Sequence, residues 1–216
     1  NWILQEKLGS IWIGTDSEGI LILDSLGHLQ KKVGAKVYDE TALNDDGILT
    51  LYDDGDIIWV GTSAGGIGKY GRHRKKFYNI SYDPLNPKGL HDNRILGIIN
   101  DSKNNLWIAT WSDGLSYYDR EADEFTVYRH DPDDPGSVSD NGIQDILIDR
   151  NDNLWVISSS RQLDLLRPGA SDFEHFQADP SNPEALQSEY LLSLYEDRSG
   201  SIWLGSWDEG LFRLDP

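Results

Sequence analysis

The pentapeptide Ile58-Trp59-Val60-Gly61-Thr62 is one of five related stretches that decide the fold of this chain. Its tryptophan recurs along the 216 residues at intervals of 47, 48, 48 and 48, at Trp12, Trp59, Trp107, Trp155 and Trp203. Each tryptophan lies among apolar and β-branched residues, which favour a short β-strand. A constant interval of this length is typical of stacked supersecondary units, so the sequence predicts five copies of one unit.

The residues around each tryptophan predict three further strands. In four of the five units a glycine follows seven residues later and suits a hairpin turn that needs positive φ, at Gly19, Gly66, Gly114 and Gly210. One strand follows this glycine, another begins near Phe77 and its counterparts, and one more, such as Ile48 to Tyr52, precedes the tryptophan. Four short antiparallel strands in about 48 residues, without helical periodicity, predict an all-β fold of β-propeller blades.

The repeat also sets the expected organisation of the chain. It predicts about four and a half blades, at approximately 1–36, 37–84, 85–132, 133–180 and 181–216, the last without its outer strand. We expect the remainder of the ring to come from residues outside this sequence. An isolated segment would expose an apolar blade face and an unpaired strand edge, so we also expect it to self-associate.

Composition excludes several classes of partner and site. The chain has 19 Lys and Arg residues against 37 Asp and Glu residues, a net charge of −18, and no Cys. Binding to nucleic acid or anionic membranes needs an excess of cations, so neither partner is expected. The chain offers no thiolate and no apolar run of about 18 residues, so we expect no cysteine metal site and no membrane insertion by this segment. Nothing in the sequence calls for a cofactor or a metal ion.

The repeated pattern resembles a known family. An acidic turn, an apolar-Trp-apolar strand, a Gly-Leu pair and a strand ending in Asp follow one another, as in Asp101, Trp107, Gly114-Leu115 and Asp119. This order resembles the two-component regulator propeller repeat. Three segments resemble the linker between blades in that family, Asp83-Pro84-Leu85-Asn86-Pro87, Asp131-Pro132-Asp133-Asp134-Pro135 and Asp179-Pro180-Ser181-Asn182-Pro183.

The resemblance implies a function. Such repeats form the sensory propellers of bacterial hybrid histidine kinases and of related diguanylate cyclase receptors. It therefore implies a non-catalytic sensor in the periplasm or another extracytoplasmic space, with downstream signalling domains as partners. The fourth unit departs from the pattern, because Ile157-Ser158 replaces Gly-Thr and Gln162 replaces the turn glycine. We expect its hairpin to have a different shape.

Two further tryptophans are candidates for ligand binding. Trp111 and Trp207 follow the core tryptophan by four residues, in the turn between the second and third strands, beside Asp113 and Asp208. We expect them to share one face of the propeller with the linkers. An exposed aromatic ring beside carboxylates is typical of carbohydrate recognition, so an oligosaccharide or another neutral small ligand is the expected partner. Packing of each ring on its own linker, or an inter-domain contact, is the alternative.

The inner strands offer a second group of candidates. Asn93 and Arg94, with Asp140 and Asn141 in the next unit, precede the inner strands and would line the mouth of a central channel. The chain contains no motif of a known catalytic class, and its five His residues share no repeat position. We therefore assign no catalytic residue, although His91 with Asp92 keeps open a polysaccharide lyase or hydrolase. A structural or protein-interaction propeller without a small ligand is the other alternative.

Overall fold

The computed structural model describes residues 2–6, 9–36, 38–179, 181–182, 185–188 and 190–214. The chain divides between Ile98 and Ile99 into two compact units. The described residues form nineteen β-strands and no helix. Pro180 and Pro183 of the third predicted linker, and the blade limits placed at 1, 37, 180 and 216, lie outside the described residues.

The strands follow one another as the repeat predicts. Blades 1 and 2 contain β1 (Ile3–Gln5), β2 (Ile11–Gly14), β3 (Ile20–Leu23), β4 (Leu29–Val33), β5 (Ile48–Asp53), β6 (Ile57–Thr62), β7 (Ile67–Gly71) and β8 (Lys76–Ile80). Blade 3 contains β9 (Ile95–Asn100), β10 (Leu106–Thr110), β11 (Leu115–Asp119) and β12 (Glu124–Tyr128). Blades 4 and 5 contain β13 (Ile143–Ile148), β14 (Leu154–Ser158), β15 (Leu163–Leu166), β16 (Glu174–Phe176), β17 (Leu191–Glu196), β18 (Ile202–Ser206) and β19 (Leu211–Leu214).

Each blade is an antiparallel sheet whose strands lie side by side in chain order. Four sheets have four strands, and within the described residues blade 5 has three, β17-β18-β19. This architecture confirms the predicted all-β propeller fold with four-stranded blades. It also places the repeated tryptophan at one position in every blade, on the second strand.

The second-strand tryptophans of blades 1 and 4 pack against the neighbouring blade. Trp12 shares a buried cluster with Ile48 and Ile58 of blade 2, and Trp155 shares one with Leu191 and Ile202 of blade 5. In three blades the indole nitrogen donates a hydrogen bond to an aspartate of the turn before the second strand, in the pairs Trp59–Asp54 (2.7 Å), Trp155–Asp149 (2.9 Å) and Trp203–Asp197 (2.8 Å). Each bond gives the indole nitrogen a hydrogen-bond partner, which it would otherwise lack when the ring is packed between blades.

The turn glycine links one blade to the next. In blade 3, Gly114 has a φ of 84°, and its N–H donates to the carbonyl of Asn141, which precedes the first strand of blade 4, at 2.6 Å. The Asn141 side chain in turn accepts the N–H of His130, just after the outer strand, at 2.8 Å. The same two bonds recur in the first unit, from Gly19 and Ala35 to Asp46, and from Gly66 and Tyr82 to Asn93. We call this pair of bonds the blade clamp.

The turn of blade 4 has a different shape, as its sequence predicts. The left-handed conformation falls on Arg161, with a φ of 68°, one residue before Gln162, which occupies the glycine position. The hairpin still closes with a bond from the N–H of Ser158 to the carbonyl of Gln162 at 3.1 Å. Blade 4 therefore keeps its strand pairing, but its left-handed residue is an arginine one position before the place where the other turns have a glycine.

Gly114→Ala should destabilise the chain more than Gly210→Ala. Both glycines have a positive φ, 84° and 82°, so alanine strains both by about 1–2 kcal/mol. At Gly114 the added Cβ would also collide with the carbonyl oxygen of Tyr128, whereas at Gly210 it would meet nothing within 4 Å. We expect an additional loss of about 1–3 kcal/mol at Gly114, measured by urea unfolding. Equal losses of stability in the two variants would show that crowding by the outer strand does not contribute.

A half-buried carboxylate links blades 4 and 5. Asp145 lies at a register shift in the first strand of blade 4, which turns its side chain towards blade 5. Its carboxylate accepts the N–H of Leu194 at 2.8 Å and that of Ile146 at 3.0 Å. Burial raises the pKa of Asp145 to about 6, although both hydrogen bonds act in the opposite direction.

Asp145→Asn should change how stability depends on pH. The carboxyl of Asp145 has a pKa of about 6 in the folded chain, against an ordinary value of 3.8, so its ionisation opposes folding as pH rises from about 4 to about 6. The variant lacks this penalty. Its free energy of unfolding, relative to that of the wild type, should therefore rise by about 1–2 kcal/mol across that pH range. Urea unfolding at pH 4, 5, 6 and 7 measures this gain, with exposed Asp133→Asn as the control. Parallel curves for Asp145→Asn and wild type would contradict it.

Candidate functional site

The exposed tryptophans lie in the predicted turns. Trp111 follows β10 and Trp207 follows β18, each in the turn between the second and third strands of its blade. Their relative exposures are 46% and 80%, against 9% or less for the buried tryptophans of β10 and β14. In an antiparallel blade this turn lies at the same end as the segment that leads from the outer strand to the next blade. We call this end the linker face.

The Trp207 turn is fixed to the segment that enters blade 5. The backbone N–H of Trp207 donates to the carbonyl of Tyr190 at 2.9 Å. The carboxylate of Asp208 accepts the hydroxyl of Ser188 at 2.5 Å, and that hydroxyl oxygen accepts the N–H of Tyr190 at 2.9 Å. The indole ring therefore projects from a turn whose backbone and neighbouring carboxylate are both held in place.

The Trp111 turn is held differently. Arg129, one residue beyond the outer strand of blade 3, donates two hydrogen bonds to the Asp113 carboxylate, at 2.9 and 2.7 Å. The carboxylate beside Trp111 is therefore neutralised by a cation of its own blade. Trp111 and Trp207 occupy equivalent turns, but the acidic groups beside them face different partners.

Asn93 and Arg94 lie in the first compact unit, whereas the two tryptophan turns, Asp140 and Asn141 lie in the second. Asn93 belongs to a blade clamp: its side chain accepts the N–H of Tyr82 at 2.7 Å and its carbonyl accepts the N–H of Gly66 at 2.9 Å. Arg94 is exposed, and its N–H donates to the carboxylate of Asp92 at 2.9 Å. The side-chain oxygen of Asn93 thus has a defined structural use.

A cleft of about 240 Å³ opens between blades 4 and 5, close to Trp207. It is lined by Ser160, Arg161, Gln162, Phe176, Gln177, Ala178 and Ser188. Ser188 is the residue that binds Asp208, so one hydrogen bond connects the cleft to the Trp207 turn. Arg161 places its guanidinium 4.3 Å from the ring centroid of Tyr190, at the same entry segment. The sequence alone did not predict this cleft, although the departure of blade 4 from the repeat pattern marks its position.

A second polar cluster lies beside the linker into blade 4. The Nδ1 atom of His175 lies 2.7 Å from a carboxylate oxygen of the fully buried Asp164 and 3.0 Å from the hydroxyl of Ser139. Its Nε2 atom lies 2.9 Å from the carbonyl of Pro135, in the linker. A catalytic triad needs the serine and the carboxylate on opposite ring nitrogens, and here both contact Nδ1. The cluster instead fastens the linker to β15 and β16, and we call it the linker clasp.

Asp149 and His91 differ in their surroundings. The carboxylate of Asp149, in the turn between the first and second strands of blade 4, accepts N–H groups from Asn151 and Asn153 and the indole N–H of Trp155. The Nδ1 atom of His91 is buried and makes no hydrogen bond within the described structure. Across the described ranges, no group of three or more His, Cys, Asp and Glu side chains could hold a metal ion.

Sequence comparison identifies the repeat. The profile of the two component regulator propeller family matches residues 89–112 and 185–208, each of which spans a linker end, a first strand and a second strand. Each of these two segments is a two component regulator propeller repeat. The predicted resemblance is thereby confirmed. None of the curated proteins matches the chain in sequence.

Solved structures with the same fold are similar to this chain over almost its whole length. The extracellular domain of the hybrid two component system BT3049 from B. thetaiotaomicron matches 99% of this chain with 20% identity and a TM-score of 0.82. That of the one component system BT4673 from the same organism matches 99% with 19% identity and a TM-score of 0.75. PorZ of the type-IX secretion system of Porphyromonas gingivalis matches 97% with 18% identity and a TM-score of 0.66.

These matches concern part of larger proteins. The chain spans 28% of the BT3049 structure, 26% of the BT4673 structure and 31% of the PorZ structure. At this level of identity they establish the propeller fold of the chain and nothing finer. In the described part of the chain, no helix has the length and apolar character needed to cross a membrane.

The linker clasp should make stability depend on the protonation of His175. Burial opposes the charged ring, but the bonds to Asp164 and to the Pro135 carbonyl outweigh it and raise the pKa of His175 above 6.5. A raised histidine pKa gives a stabilisation that is complete below pH 6.5 and is lost as pH rises through the folded value. Wild type should therefore exceed His175→Gln in free energy of unfolding by more at pH 5.5 than at pH 8.5.

Urea unfolding of both chains at the two pH values measures this difference. His28→Gln is the matched control, because His28 also contacts an aspartate, Asp24, but its side chain is 72% exposed. A wild-type advantage over His175→Gln that stays constant with pH would contradict the protonated clasp.

Proposed function

We propose that this chain is part of the sensor propeller of a bacterial signalling receptor of the two-component or cyclic-di-GMP type. The propeller repeats and the extracellular domains that share the fold support this assignment. The sensor would lie in the periplasm or another extracytoplasmic space and act without catalysis of its own. Its partners in the receptor would be further blades and the downstream signalling domains.

Exposed apolar residues on blade 5 support the proposal of a covering partner. Tyr195 is 64% exposed on β17, Leu192 is 38% exposed on the same strand, and Leu211 is 69% exposed on β19. Large apolar side chains grouped on one sheet are typical of a surface that another element covers. A further blade of the same propeller is the proposed occupant, and a second copy of the chain would compete for the same surface.

The proposed ligand is an oligosaccharide that binds on the linker face beside Trp207. The observation that carries this proposal is the position of the indole ring: it is 80% exposed, yet its turn is fixed by Tyr190 and Ser188 next to a cleft. An aromatic ring packs against the C–H face of a sugar, while amides and hydroxyls bond its hydroxyl groups. The cleft supplies such groups from Gln162, Gln177 and Ser160.

Substitution of the two exposed tryptophans should separate ligand binding from local packing. Trp207→Ala should weaken binding of the best oligosaccharide in an array at least tenfold, about 1.4 kcal/mol, as measured by titration calorimetry. Trp111→Ala should weaken it less, because the Asp113 carboxylate beside that ring is already paired with Arg129. Trp2→Ala, at a ring that is 46% exposed in the first unit, is the matched control.

Two outcomes would contradict the carbohydrate proposal. The first is the absence of any oligosaccharide that binds either this chain or the complete receptor ectodomain. The second is unchanged affinity in the Trp207→Ala variant. Either result would favour a structural or protein-interaction propeller, for which Trp207 would be a contact residue towards another domain.

A further inference from the structure

We propose that the cleft between blades 4 and 5 contains a carboxylate-binding subsite centred on Arg161. The ligand of the cleft would then be a polyhydroxylated acid, such as a sugar that carries a carboxylate. This proposal rests on the proposed function, because it concerns the same cleft. It differs from the composition-based expectation of a neutral ligand, since the net charge of −18 does not describe the local field at one arginine.

The backbone at Arg161 is the first observation. Its φ of 68° lies in the left-handed region, which disfavours side chains with a Cβ. The equivalent turns of the other four blades satisfy this need with a glycine one residue later, and in blade 4 that position holds Gln162. A strained non-glycine residue in a turn is characteristic of sites where the side chain has a use. Arg161 has this conformation at the edge of a cleft that it lines.

The position of the guanidinium is the second observation. It stacks on the Tyr190 ring at 4.3 Å, which leaves the edge of the guanidinium and its N–H groups available. Within the described residues, no acidic side chain forms an ion pair with it. In contrast, each of four other arginines forms an ion pair with an acidic side chain, namely Arg72, Arg129, Arg150 and Arg167. Arg161 is therefore a stacked cation with unused donors beside a cleft.

The support for this cation is itself fixed. Tyr190 donates its N–H to Ser188 and accepts the N–H of Trp207 on its carbonyl. The aromatic residue that orients Arg161 thus belongs to the segment that holds the Trp207 turn. A ligand that contacts Trp207 and extends into the cleft would therefore also contact the Arg161 guanidinium.

The other lining residues indicate the rest of the ligand. Gln162 and Gln177 have side-chain amides that make no hydrogen bond to the described residues, and each amide can both donate and accept. Phe176 contributes an apolar surface, and its ring centroid lies 5.8 Å from that of Trp155. A fork of N–H groups matches the two oxygens of a carboxylate, and the amides match neighbouring hydroxyls. Together they fit a sugar acid.

The test compares acidic and neutral forms of one sugar. Titrations of the full chain with glucuronate and with glucose, followed by NMR chemical shifts, should show glucuronate binding at least tenfold more tightly. Arg161→Gln should remove this preference, and Arg161→Lys should retain only part of it, because an ammonium lacks the planar fork. Sodium chloride should weaken the preference in the wild type. Glucose 6-sulfate, as a third probe, shows whether the subsite is specific for a carboxylate.

Arg161→Gly separates a binding role from a structural one. Glycine relieves the left-handed strain, so the melting temperature should be maintained or raised while the preference for glucuronate is lost. Lys75→Gly is the matched control, because Lys75 is an exposed cation with a φ of 54° in another turn. It should leave the preference unchanged. A lower melting temperature in Arg161→Gly together with an intact preference would overturn the proposal.

The remaining outcomes distinguish the subsite from the proposed function. If glucose and glucuronate bind equally, and Trp207→Ala abolishes both, the cleft recognises sugars and the carboxylate subsite is overturned. If glucose 6-sulfate binds more tightly than glucuronate, the specificity for a carboxylate is overturned. If neither sugar nor any oligosaccharide of the array binds, both the subsite and the carbohydrate-sensing function are overturned.

Discussion

The blade clamp is the interaction on which the arrangement of neighbouring blades depends. A turn residue with positive φ directs its N–H out of its own hairpin, and the carbonyl that precedes the next first strand accepts it, as in Gly114 and Asn141. The same Asx residue then binds the N–H that follows the outer strand. The turn between the second and third strands and the end of the outer strand are thus both tied to one residue of the next blade. A side chain on the turn glycine would meet the outer strand, so the clamp requires glycine sterically as well as conformationally.

The excess of acidic residues has a structural explanation that the net charge alone does not show. Many aspartates accept backbone N–H groups in turns, as Asp101 and Asp149 do between the first and second strands. Asp149 and Asp197 also accept the indole N–H of a core tryptophan. A fold without helices has many turns to stabilise, and Asp suits them because its carboxylate mimics a backbone acceptor. Few of these carboxylates are therefore available for catalysis or ligand binding.

The candidate site occurs where the repeat is broken. Regular positions, such as the second-strand tryptophans and the clamp residue Asn93, have the same structural role in several blades. Blade 4 replaces its turn glycine, takes the left-handed conformation at Arg161 instead, and opens a cleft towards blade 5. A repeat protein can vary one turn in this way without losing the packing between blades, because β14 and β18 both keep the tryptophan of the repeat.

The sequence by itself determined the fold, the number of strands per blade and the position of the exposed tryptophans, because a 48-residue interval and a glycine at a constant offset are local signals. Only the tertiary structure decided which of these residues lie together. Ser188, Arg161 and Trp207 are distant in sequence, and hydrogen bonding and stacking around Tyr190 place them about one cleft. The half-buried carboxylate of Asp145 and the linker clasp of His175 likewise depend on contacts between elements. Sequence periodicity describes what the blades share, whereas a site depends on where neighbouring blades differ and meet.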